Sequence, residues 1–148
     1  MPGCKFERMT RIKAVEREYA AMRFAVERLS ALARHDPNVL KNDLKPQDLQ
    51  MAADRLEGTY AVRLFAEYEA GLRSYWRASK DSVPLARDLI ESIGRRCKIP
   101  EDQIAKAHRV REWRNSVVHE HDHEVEKLPI ALARGHLCHF FSFLPHQW

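Results

Sequence analysis

In its C-terminal third the chain reads His108-Arg-Val-Arg-Glu-Trp-Arg-Asn-Ser-Val-Val-His119-Glu-His-Asp-His123, a run dense in side chains that bind phosphate and move protons. Set on a helix at about 100° per residue, Val110, Trp113 and Val117 share a side that should face a core, while Arg111, Arg114, Asn115 and His119 occupy an arc of about 140° roughly opposite. Asn115 and His119 are i,i+4 neighbours, and Arg114 and His119 stand at the two edges of the arc. A merely solvated face would more typically carry Glu and Lys. Arginine offers a planar, permanently charged fork that fits phosphate, and histidine titrates near neutrality and can take or give a proton. The amide of Asn115 can orient either an imidazole or a phosphate oxygen. The plain alternative for His119 is a histidine at a helix C-terminus, interacting with the last carbonyls and the dipole. For Arg114 an ion pair with Glu112 is poor geometry, because i,i+2 residues do not face each other.

Two further clusters have chemical potential. His119, His121 and His123 alternate with Glu120, Asp122 and Glu124; in an extended chain three imidazoles would point one way and could hold zinc or nickel. Closed metal sites normally draw on distributed ligands, and no other ligand set is evident, so an exposed loop without a metal is the expectation. Arg63 and Glu67 are i,i+4, with Glu67 angularly between Leu56 and Leu64. A carboxylate beside an apolar stripe needs a partner. Either Glu67 holds Arg114 or His119, or it pairs locally with Arg63 at a helix seam. His136 and His139 are i,i+3 and suit packing or polar-edge roles. Phe140, Phe141, Phe143 and Trp148 read as core and dimer contacts rather than as a base-stacking platform.

The elements that must position these residues are helices. Five glycines and seven prolines in 148 residues are too few for a strand-and-turn architecture, and the Ala, Leu, Arg and Glu content favours helix. Ile12, Val15, Tyr19, Met22, Val26, Leu29 and Ala33 recur at alternating 3-4 spacing and line one face of a long first helix. His35-Asp36-Pro37 ends it. Pro46 opens a second segment with the stripe Leu49, Ala53, Leu56, Tyr60, Leu64, Tyr68, Leu72 and Tyr75; Gly58 divides it or lets it run through, as 46–57 plus 59–78. Pro84 opens a third helix reaching about Cys97. Pro100 with Glu101 and Asp102 opens a fourth reaching about His119. After a polar stretch, Pro129 opens the last, with Ile130, Ala133, Leu137, Phe140, Phe141 and Leu144 inward. The expectation is one all-α domain over 1–148, a bundle of about five helices.

Composition bounds the function. Hydrophobic residues make up 45% and charged residues 31% of the chain, the balance of a globular protein rather than a disordered one. No run reaches the 18 or so apolar residues of a membrane span, and the first residues, MPGCKFERMTRIK, contain no apolar signal segment. A cytoplasmic protein without membrane association is expected. Cys4, Cys97 and Cys138 are odd in number and lack CxxC spacing, which argues against a disulfide framework or a zinc knuckle. Residues 1–35 hold eight Lys or Arg against four Glu, whereas the remainder holds 17 of each sign. The whole excess charge of +4 thus lies on the first segment, which either attracts a phosphate backbone or is a solvated helix face.

Arg114-Asn115-Ser-Val-Val-His119, preceded by Val110-Arg-Glu-Trp113, resembles the R-x4-6-H signature of HEPN domains, in which polar residues commonly follow the arginine. Leu56 to Arg73 also resembles the second helix of such proteins, including its acidic position. The resemblance implies a HEPN-like bundle that cleaves RNA without metal or cofactor, in a toxin–antitoxin or defence setting, or a silent relative that dimerises or binds a nucleotide or protein. In catalytic members the 2′-OH attacks the adjacent phosphate and leaves a 2′,3′-cyclic phosphate. His119 would transfer the proton and Arg114 would stabilise the phosphorane charge, supported by Asn115, Arg111, Glu67 and Arg63. It also implies a homodimer with two such motifs at a shared cleft, and an antitoxin or other protein partner.

Overall fold

In the computed structural model, residues 3–119 and 124–148 are described. They form five α-helices and no strand: α1 Lys5–His35, α2 Pro46–Arg77, α3 Ala86–Arg96, α4 Glu101–His119 and α5 Ile130–Ser142. The fold is the all-α helical bundle that the periodicity calls for. No helix among the described residues is long and apolar enough to cross a membrane.

Local chemistry sets the helix ends. Asp36 leaves α1 in an extended conformation, and its carboxylate accepts the Asn38 N–H at 3.0 Å. Pro46 occupies the first position of α2, where a missing N–H costs nothing, and the Lys45 N–H donates to Asp48 Oδ2 at 2.8 Å. Lys98 adopts a left-handed conformation (φ 52°) that closes α3, and the Ile99 N–H returns to the Gly94 carbonyl at 2.8 Å. Pro84 lies two residues before α3 rather than at its first position, since Leu85 is still extended. Gly58 does not divide α2. A Cβ there would lie 3.3 Å from both Val117 methyls, so this glycine lets α4 approach closely.

α1 and α2 form a long antiparallel hairpin, and the other three helices pack on only one half of it. Ile12 and Val15 of α1 are fully covered, together with Tyr60, Leu64, Phe65, Tyr68 and Leu72 of α2. Tyr68 is the centre of this core, with Phe140 and Phe141 edge-on to it at 5.6 and 5.4 Å. Trp113 and Val110 of α4 close one side, and Leu89, Ile90 and Ile93 of α3 fill another. The chain ends meet through Gly3 and Trp148, and the Trp148 indole lies edge-on to Tyr75 at 5.4 Å. Phe140 and Phe141 are therefore core residues of this chain, and Phe143 and Trp148 pack against that core.

The apolar stripe of α1 continues past where the bundle can cover it. At 1.5 Å per residue α1 is about 46 Å long and α4 only about 28 Å. Beyond Tyr19 the hairpin is a two-helix arm, in which Val26 and Leu29 are half-buried against α2 and Ala33 is covered. Met22 is left 45% exposed, despite lying on the stripe. Val117 also departs from expectation: it points toward α2 at Gly58 but remains 39% exposed, because α4 is ending there.

Candidate functional site

The polar arc of α4 divides into two arrangements. The first is built on Arg114, whose side chain is only 22% exposed and lies at the seam with α2. Its Nη2 donates to Glu69 Oε2 at 3.3 Å, and its guanidinium carbon stands 4.7 Å from the centroid of the Phe65 ring. The other Glu69 oxygen accepts Arg73 Nη2 at 2.6 Å and Nε at 3.0 Å. One carboxylate thus neutralises one of two guanidinium groups, and the triad Arg73–Glu69–Arg114 keeps a net positive charge. The Phe65 face fixes the plane of Arg114 and screens it from water on one side.

The second arrangement is built on Arg111 and reaches α3. Its Nε donates to His108 Nδ1 at 3.2 Å. Because Nδ1 accepts, the imidazole proton sits on Nε2, which donates to Glu91 Oε1 at 2.7 Å. Arg111 therefore turns toward α3 and does not reach Arg114. Asn115 is half-buried, and its side chain makes no hydrogen bond among the described residues. His119 is the last residue of α4 and is exposed.

Two supporting residues expected from sequence belong elsewhere. Arg63 is exposed, pairs with Glu18 of α1 and lies over the Tyr60 ring at 5.2 Å. Glu67 makes no side-chain hydrogen bond or ion pair among the described residues, neither with Arg63 nor with Arg114. The reason is angular. Glu67 and Glu69 bracket the apolar stripe of α2 on opposite flanks, and α1 packs on the Glu67 flank while α4 packs on the other. Glu69, i+4 from Phe65 and i−4 from Arg73, is the acidic residue that meets α4. Its spacing to Arg73 was the signal that could have marked it.

His121 and His123 of the alternating histidine run lie outside the described residues. Among those described, no three His, Cys, Asp or Glu side chains come together as a metal would require. Cys4, Cys97 and Cys138 are all free thiols. A hollow of about 440 Å³ between α2 and α4 is lined by Gly58, Trp113 and Val117, on the side of α4 opposite the arc.

No family model matches the chain, and comparison with curated proteins and with solved structures found no match for it either.

Proposed function

We propose that this chain is a HEPN-type domain acting as a metal-independent endoribonuclease, with Arg114 and His119 as its reacting pair. The observation that carries the reading is the anchoring of Arg114: an acidic residue of the second long helix and an aromatic face hold one guanidinium, five residues before an exposed histidine at the end of the same helix. An arginine held in this way costs little to reorganise when charge develops on a phosphorane. A histidine at the exposed helix end is placed to take the 2′-OH proton or protonate the leaving 5′-oxygen. Cleavage would leave a 2′,3′-cyclic phosphate. A homodimer would bring two such pairs to one cleft, and a toxin-like role with a protein antitoxin fits an RNA-cleaving domain of this size.

The test is incubation of the purified protein with single-stranded and structured RNA in EDTA. Cleavage should survive chelation and be lost in both Arg114→Ala and His119→Ala, while the molecular mass in solution stays that of the wild type. Persistence of cleavage in either variant at an unchanged mass removes the assignment.

One observation favours a second reading. Arg114 is largely withdrawn from solvent and already engaged by Glu69 and Phe65, as befits a residue that only fastens α4 to α2. On that reading the chain is a catalytically silent HEPN-like module that binds a nucleotide or protein or pairs with a second copy. It predicts that no RNA is cut by the wild type under any of these conditions.

A further inference from the structure

The cleft between α3 and α4, of about 430 Å³, is lined by Arg87 and Glu91 of α3 and by His108, Arg109, Arg111 and Glu112 of α4. Counting Glu126, which reaches Arg109 from outside the cleft, three carboxylates balance the three guanidinium groups, so an anion here would be held by directed donors rather than by net charge. Glu91 is committed to His108. Glu112 stands 3.8 Å from Arg111 Nη2, beyond a hydrogen bond. Arg109 is paired with Glu126 at 2.5 Å, but both side chains are about half exposed, and such pairs exchange readily for another anion. Arg87 is exposed and has no side-chain partner among the described residues.

Arg111 is the unusual member. Its side chain is 17% exposed, so it has lost most of its hydration, yet only Nε makes a hydrogen bond among the described residues. The chain Glu91–His108–Arg111 fixes its plane from α3 across to α4, and its terminal amino groups make no hydrogen bond among the described residues, Nη2 having only the loose ion pair with Glu112. A pre-oriented guanidinium, with two exposed guanidinium groups lining the same cleft, offers donors suited to a phosphate oxygen. Arg111 also lies on the same arc of α4 as Asn115 and His119, eight residues before the latter. The axial separation is about 12 Å, which is roughly three to four nucleotides of a stacked strand and fewer of an extended one.

We propose that this cleft is a phosphate subsite that holds a backbone phosphodiester of an RNA strand lying along α4, with Arg111 as the fixed ligand and Arg87 and Arg109 closing over it. The proposal rests on the ribonuclease reading for the identity of the strand, and it adds a length requirement. A mononucleotide cannot reach both His119 and the cleft, whereas a strand of a dozen nucleotides can.

The experiment measures binding of a fluorescein-labelled 12-nucleotide single-stranded RNA by anisotropy, across a salt series, for wild type, Arg111→Gln, Arg87→Gln and Arg28→Gln. Arg28 lies on the exposed face of the arm and serves as the charge-matched control. Arg111→Gln should weaken binding about tenfold. Arg111→Gln and Arg87→Gln should each reduce the slope of log affinity against log salt by about 0.7, and Arg28→Gln should leave both quantities unchanged. Arg87 is exposed, so its variant keeps the test valid even if Arg111→Gln disturbs folding, which circular dichroism would reveal. Unchanged affinity and slope in the folded cleft variants overturn the subsite, as does an equal loss in Arg28→Gln, and so does a wild type that binds no RNA. Tight ATP binding without RNA binding would overturn it in favour of a mononucleotide site. The two readings fail separately. Binding with the expected slopes but without cleavage retires the ribonuclease alone, and cleavage with unaltered Arg111→Gln binding retires the subsite alone.

Discussion

Glu69 carries two arginines, and the consequence is an asymmetry between partners. Removing Arg114 leaves Glu69 still bound to Arg73 by two hydrogen bonds, so no charge is orphaned. Removing Glu69 leaves Arg73 and Arg114 facing one another at a partly buried seam with no anion. Hydrogen bonds to charged groups contribute roughly 1.5–3 kcal/mol when their loss leaves a partner desolvated. Glu69→Ala should therefore cost about 2 kcal/mol by urea denaturation, and Arg114→Ala about 1 kcal/mol, mostly from the lost contact with Phe65. The reverse order would show that Arg114 rather than Glu69 is the hub. The expected order also means that Arg114→Ala remains folded, which the cleavage assay needs.

At the scale of elements, helix packing is decided by two glycines with opposite surroundings. A Cβ at Gly71 of α2 would lie 2.5 Å from Phe141 Cζ, and that ring is fully buried and edge-on to Tyr68. The ring cannot give way, so overpacking of about 1–3 kcal/mol outweighs the gain in helix propensity of about 1 kcal/mol. A Cβ at Gly135 of α5 meets nothing within 4 Å. Gly71→Ala should lower the melting temperature and Gly135→Ala should raise it, a difference in sign that calorimetry reads directly. Sequence periodicity cannot tell these two glycines apart, because the difference lies in which helix arrives opposite. The same limit explains the candidate site. The inward side of α4 was legible from Val110 and Trp113, and the helix order from the prolines at 46, 100 and 129. The flank of α2 that meets α4 was not legible, so Glu67 was as good a candidate as Glu69. The pairing of Arg111 with His108 also escaped, because it depends on α3 bringing Glu91 to the far side of the imidazole.

For the whole molecule, pH dependence follows from groups buried without full compensation. His136 of α5 has its ring Nε2 buried with no hydrogen-bond partner among the described residues. Burial, and then the nearby cations Lys106, Arg109 and His139, hold its pKa below the ordinary 6.5. Such a group is neutral in the folded chain, and the unfolded chain takes up a proton first as the pH drops. Stability is thus fully present above about 6.5 and is lost as the pH falls through the lowered folded value. On the alkaline side the sign reverses. Burial, followed by a hydrogen bond with Cys97, pushes Tyr75 from 10.0 up to about 12. Burial alone raises fully buried Tyr68 well above its ordinary 10.0, and burial also raises the Cys138 thiol from 9.0. These acids keep their protons in the fold when the unfolded chain has begun to lose them, so stability declines above about 9. Urea midpoints should form a plateau between about pH 6.5 and 9 with a slope on each side. His136→Phe keeps the ring shape and removes the proton site, so its acid edge should move down to the carboxylate range, where Glu18, held low by its bond to Arg63, comes next. A wild-type midpoint that does not change between pH 7.5 and 5.5, or a His136→Phe variant that falls in parallel with it, would remove His136 as the origin of the acid edge.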